Sequence, residues 1–179
     1  MEANGIEIQY RDEALRQFRG LKKLADRALA QTSDADFFAM LDPGSNSIAL
    51  LVKHMAGNMR SRWTGFLMSD GEKPDRRRDS EFLVEPGDTR EGLTRRWEEG
   101  WALLLAAVEP LAAEDFRRTV LIRAEAHSVL RAINRQVAHY AYHVGQLVFL
   151  AKHFAGDRWE SLSIPRGRSE EYNPQKRAR

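Results

Sequence analysis

Apolar side chains recur at three- and four-residue steps along four long segments of the chain. In the first, from about Ile8 to Ala30, residues Ala14, Leu15, Phe18, Leu21, Leu24, Ala25, Ala28 and Leu29 share a stripe that Arg16, Arg19, Lys23 and Arg27 avoid. That pattern predicts one amphipathic helix. TSDADFFAMLDPGSNS, with its Pro-Gly pair, reads as a connection. A second helix is predicted from about Ser47 to Met68 on Ile48, Leu51, Val52, Met55, Met59, Trp63, Phe66 and Leu67. Residues 69–87 break the periodicity with two prolines, two glycines and few apolar side chains, a long excursion of the kind that often serves function. Asp88 and Glu91 have the spacing of a reciprocal cap, and Leu93, Trp97, Trp101, Leu104 and Leu105 carry a third helix to about Val108, ended by Pro110. Thr119, Val120, Leu121 and Ile122 favour a short extended segment or hairpin. The fourth helix is predicted from about Ser128 to Phe154, with Gly156 as its stop. Trp159, Leu162 and Ile164 can tack the following stretch onto the body.

Four long helices and almost no strand predict an all-α protein: a four-helix bundle with a long loop between helices 2 and 3 and a short extended segment before helix 4. A chain of 179 residues, 42% of them apolar, suffices for one core. Residues 1–165 are assigned to that single domain and 166–179 to an irregular basic tail. The absence of cysteine removes disulfides and thiolate metal sites, so any metal must sit on imidazole, carboxylate or carbonyl groups. No segment approaches the roughly 20 apolar residues of a membrane span, and the N-terminus has no apolar leader core, so a soluble, cytoplasmic protein is expected. With 28 Lys plus Arg against 26 Asp plus Glu, the charge balance gives nucleic-acid binding little support. DRRRD at 75–79 reads as a solvated loop and PQKRAR at 174–179 as a frayed tail.

The candidate chemistry lies in the histidines. HYAYH places His139 and His143 four residues apart, about 6 Å along a helix axis and on one stripe, so both rings can reach a common point. No glutamate follows the first histidine, so the zinc-protease motif is absent. His54 lies mid-helix on the broad stripe of Leu51, Met55 and Asn58, which faces the interior of a bundle. Three buried imidazoles without a shared partner would each cost desolvation, whereas a divalent cation would take all three lone pairs. The competing reading has His54 bonded to a carbonyl or a tyrosine. His153 lies too far along the fourth helix to join, and His127 is placed in a turn at or before its start. Helical spacing makes Asn58, Gln136 and Gln146 candidates to orient a ligand or a substrate group, with ordinary interhelical bonds as the alternative. Tyr140 and Tyr142 read as core or dimer surface, the four tryptophans as core, and Arg62 and Arg135 as residues for an anionic substrate at the mouth.

NSIALLVKHMAGNMRSRW, INRQVAHYAYHVGQLVFLAK and WESLSIPRGRSEEYN together resemble the DinB-like superfamily of metal-binding four-helix bundles, in particular a bacterial subfamily of undefined function. The resemblance spans nearly the whole chain. It implies a divalent metal, zinc or nickel, held by His54, His139 and His143, and a homodimer. Characterised members include transferases that use a low-molecular-weight thiol and an isomerase acting on a thiol conjugate. The expected function is therefore a metal-dependent transferase or hydrolase that activates a thiol or water. The alternative is a non-catalytic dimeric bundle whose metal or ligand serves structure or sensing. Substrate-binding residues do not carry over, because they lie outside the shared motif, and no catalytic residue is assigned.

Overall fold

The computed structural model describes residues 5–172. It is mostly helical, with one small hairpin. The main α-helices among the described residues are α1 (Ile6–Leu29), α2 (Asp34–Phe38), α3 (Ile48–Trp63), α4 (Arg90–Val108) and α5 (Val129–Ala155). Strands β1 (Thr119–Ile122) and β2 (Glu125–Ser128) pair antiparallel between α4 and α5.

Local chemistry sets most of these boundaries. Hydroxyl side chains cap the N-termini of α3, α4 and α5: Ser47 accepts from the Leu50 amide, Thr89 from Gly92 and Ser128 from Arg131. The expected Asp88–Glu91 cap does not form, because the Asp88 carboxylate is taken by Lys53 Nζ at 2.6 Å and by the Glu85 amide at 2.9 Å. The second predicted helix stops five residues early, at Trp63 rather than Met68, because Thr64 turns extended and Gly65 adopts a left-handed φ of 59°. Within the presumed connection 32–47, Ser33 and Asp36 form a reciprocal capping box that starts the short helix α2.

Helix α3 is central. Nearly every residue from Ile48 to Trp63 is buried, as expected of a helix covered on all sides. It packs against α4 and α5, and α1 packs against the same two neighbours. Gly100 of α4 admits the close approach of α3, since a Cβ there would stand 3.0–3.2 Å from Met59 atoms. An aromatic cluster of Phe18, Trp63, Trp101 and Tyr140 ties α1, α3, α4 and α5 together. Two of its three polar atoms are joined on one chain: Trp63 Nε1 donates to Tyr140 Oη at 3.0 Å, and that hydroxyl donates to Asn58 Oδ1 at 3.0 Å, while Trp101 Nε1 is buried without a partner.

The segment between α3 and α4 is anchored along its length. Arg62 and Ser61 donate to the Gly71 carbonyl, and the Lys73 amide donates to Ser61 Oγ. Lys53, 6% exposed, holds the far end through the Leu83 carbonyl, Glu85 and Asp88. A 3₁₀ turn, Arg78–Phe82, lies between these anchors and packs on α3. The DRRRD stretch is not simply solvated: the Arg76 side chain is only 5% exposed and faces inward.

The hairpin's two turn residues, Arg123 and Ala124, have φ of 56° and 61°, conformations that usually call for glycine or asparagine. Asp70 offsets part of that cost by accepting both of their amides, at 2.8 and 2.7 Å. The long segment and the hairpin are thereby one construction. At the other end Trp159 and Leu162 pack on the core, as expected, while Ile164 is half-buried outside that cluster. Residues 169–172 form a helical turn, and the basic PQKRAR lies outside the described residues. Among the described residues, no helix is long and apolar enough to cross a membrane.

Candidate metal centre

The structure brings His54 of α3 together with His139 and His143 of α5. One potential ligand atom from each lies within 4.8 Å of the others, and the ring centroids are 4.8 to 5.5 Å apart. Antiparallel packing produces the convergence: moving forward along α3 from His54 through Asn58 to Trp63, the α5 partners run backward from His143 to Tyr140. The other two histidines stand apart from the cluster. His153 is exposed near the end of α5. His127 is not in a turn but in β2, opposite Val120, and is 2% exposed.

Each ring of the cluster is engaged through Nδ1. His54 Nδ1 donates to Glu81 Oε2 at 2.8 Å, His139 Nδ1 faces Gln136 Oε1 at 3.3 Å, and His143 Nδ1 faces Gln146 Oε1 at 2.9 Å. An oxygen acceptor at Nδ1 fixes the proton there and leaves the lone pair on Nε2, the usual arrangement around imidazole ligands. The Nε2 atom of His143 is buried without a hydrogen-bond partner. An orphan of that kind is costly in a protein interior unless something takes its lone pair.

Burial keeps the His139 and His143 rings neutral. Burial pushes His139 down to about 3, helped by His143, His54, Arg62 and Arg76. Burial likewise lowers His143 to about 4, against the opposing bond to Gln146 and with the help of His54. At neutral pH both rings therefore offer lone pairs rather than protons. Three imidazoles converging from two helices are a donor set suited to zinc, nickel, iron or copper.

Glu81, which spacing on a single helix could not reveal, is the principal support of the site. It sits in the 3₁₀ turn between α3 and α4, and its carboxylate receives Arg76 as a fork, Nε to Oε1 and Nη2 to Oε2, both 2.8 Å. Burial alone would raise the Glu81 carboxyl, but the bonds from Arg76 and His54 hold it below the ordinary range. The sequence does carry a faint signal. Gly57 lies in the middle of α3, where glycine costs about 1 kcal/mol against alanine, and a Cβ there would run into the Glu81 carboxylate. Of the three residues singled out by spacing, Gln136 and Gln146 meet the histidines, whereas Asn58 serves Tyr140 instead.

A cavity of about 540 Å³ opens on the cluster, lined by all three histidines together with Arg62, Arg135, Phe82 and neighbours. Tyr142, 55% exposed, borders it beside the His143 ring, 4.3 Å between centroids. A mostly helical body carrying a three-histidine cluster at the floor of a pocket is the class these features define. The chain belongs to the family described as "Protein of unknown function (DUF1572)", whose model matches residues 5–168. Among curated proteins and among solved structures, nothing matches it.

Proposed function

We propose that His54, His139 and His143 hold one divalent metal ion, zinc or nickel, in a DinB-like four-helix bundle, and that the protein is a metal-dependent transferase or hydrolase acting on a low-molecular-weight thiol or water. The observation that carries this reading is the convergence of three imidazoles whose Nδ1 atoms are already committed to acceptors and which each bring one potential ligand atom within 4.8 Å of the others. A metal bound there would supply Lewis acidity and lower the pKa of a coordinated thiol or water. The chain's own contribution is orientation: Glu81 fixes the His54 tautomer, Gln136 and Gln146 fix the other two, and Phe82 screens the His54 ring at a centroid distance of 4.7 Å. Three protein ligands beside a cavity favour an exchangeable fourth position over a closed structural site.

Metal analysis of untagged protein tests the ligand set. The expected result is about one divalent ion per chain, lost in His54→Ala and in His143→Ala. Failure to retain a stoichiometric ion after incubation with zinc or nickel would overturn the assignment. Cobalt substitution then tests the open position, because a small thiol should add a sulfur-to-cobalt charge-transfer band. A spectrum indifferent to thiol would instead favour the non-catalytic structural reading.

A further inference from the structure

The pocket is polarised. His54, Asn58 and Arg62 follow one another at four-residue steps on α3, and Arg135, His139 and His143 do so on α5, in the opposite direction. Four residues of helix are about 6 Å and eight are about 12 Å. The histidines therefore occupy one end of the cavity, and the guanidiniums of Arg62 and Arg135 begin one to two turns away. Arg76, Arg78 and Arg123 complete the set of five arginines lining it. Among the described residues three carboxylates pair with this group: Glu72 and Glu81, engaged by Arg62, Arg76 and Arg123, and Asp79, 3.7 Å from Arg78.

Two of the arginines are left wanting a partner. Arg135 is exposed at the rim and has no hydrogen bond or ion pair among the described residues. Arg62 is 5% exposed, and its Nε is buried with no acceptor, although the opposite edge of the guanidinium is held by Gly71 and Glu72. Arg123 reaches the same space from the hairpin turn that Asp70 holds in shape. A buried guanidinium with a vacant N–H and an unpaired one at the entrance are the features of an anion receptor, since the guanidinium fork matches carboxylate and phosphate.

We infer that this pocket selects a small anionic substrate, with a carboxylate or phosphate group received by Arg135, Arg62 and Arg123 about one to two helix turns from the group presented to the histidines. The assignment of the reacting end rests on the metal reading above; the anion end stands on the arginines alone. The volume of about 540 Å³ is in the range of small-molecule sites.

Calorimetric titration with glutarate and with glycerol 3-phosphate, in zinc-loaded and in metal-free protein at low salt, tests the inference. Binding of at least one anion is expected in both forms, weakened about tenfold or more by Arg135→Ala and further by Arg135→Glu. Arg135 has no structural bond to lose, so these variants should fold. Preference for glutarate would identify a carboxylate end, and preference for glycerol 3-phosphate a phosphate end. The inference is overturned if neither anion binds at millimolar concentration, or if both Arg135 variants bind as the parent does. Anion binding that depends on Arg135 in a protein that takes up no metal would sink the metal reading and leave this one standing.

Discussion

Two of the three clustered histidines are supported from within their own helix and the third from far away. His139 and His143 find Gln136 and Gln146 three residues off on α5, partners that any helix of this sequence would present. His54 depends on Glu81, 27 residues further on, carried by a 3₁₀ turn and clamped by Arg76. The α5 half of the site is thus preformed by local structure, whereas the α3 half exists only when the 69–89 segment is docked. The contrast makes the segment, rather than the helix pair, the place where the site is most easily lost.

The largest effect should follow removal of the docked partner. Glu81→Ala strips the buried Arg76 of its closest carboxylate, leaving only the longer contact to Glu72 at 3.4 Å, and frees the His54 ring, so it should cost about 3 kcal/mol in urea denaturation. It should also weaken zinc about 10–100-fold in a chelator competition. Equal zinc affinity in the variant would show that both halves are preformed. Gly57→Ala probes the same support without touching it chemically. Alanine favours the helix by about 1 kcal/mol, but its Cβ must displace the Glu81 carboxylate. We expect a net loss of about 1–2 kcal/mol and weaker zinc binding. Stabilisation with unchanged zinc affinity would mean that Glu81 yields freely.

The division between local and distant support is also the division between what the sequence made legible and what it did not. The four long helices, the hairpin and the histidines could be read because their signals repeat within a few residues: apolar stripes, caps, and the i, i+4 pair. The early stop of α3 turned on the conformation of Gly65, and the unused Asp88 cap on Lys53 reaching across from α3, neither of which periodicity encodes. Arg76 looked like one solvated charge in DRRRD because its burial depends on Glu81 and Glu72, whose positions only the fold supplies. Asn58 had the right spacing for the site but a stronger claim from Tyr140. The mid-helix Gly57 was the single local trace of Glu81.

Asp70 separates docking of the segment from support of His54, since it belongs to the same segment but its carboxylate accepts from the backbone amides of Glu72, Arg123 and Ala124 and does not touch the histidines. Asp70→Ala should cost about 1–2 kcal/mol by leaving the turn amides without an acceptor. Zinc affinity should be nearly unchanged. Burial opposes ionisation of Asp70, yet the three amides hold its carboxyl below the ordinary value of 3.8. A lowered folded-state pKa contributes stability that is complete above the unfolded value and lost as the pH falls through the folded one. The stability gap between parent and variant should therefore be constant near neutrality and close below about pH 4. A gap independent of pH would assign the loss to packing rather than to the carboxylate.

The smallest effect belongs to the local half. Gln146 is exposed, and its amide oxygen meets His143 Nδ1 at 2.9 Å without holding any other element in place. Gln146→Ala should therefore leave stability within about 0.5 kcal/mol of the parent, while zinc affinity falls by about tenfold as the ring loses its orienting acceptor. The useful quantity is the ratio of the two losses. For Glu81→Ala, stability and zinc binding should fall together, because one carboxylate both docks the segment and aims the ring. For Gln146→Ala only zinc binding should move, because the helix that carries His143 is formed whether or not the amide is present. If Gln146→Ala destabilises the protein as much as Glu81→Ala does, the two supports are equivalent and the asymmetry between the helices is only one of sequence distance.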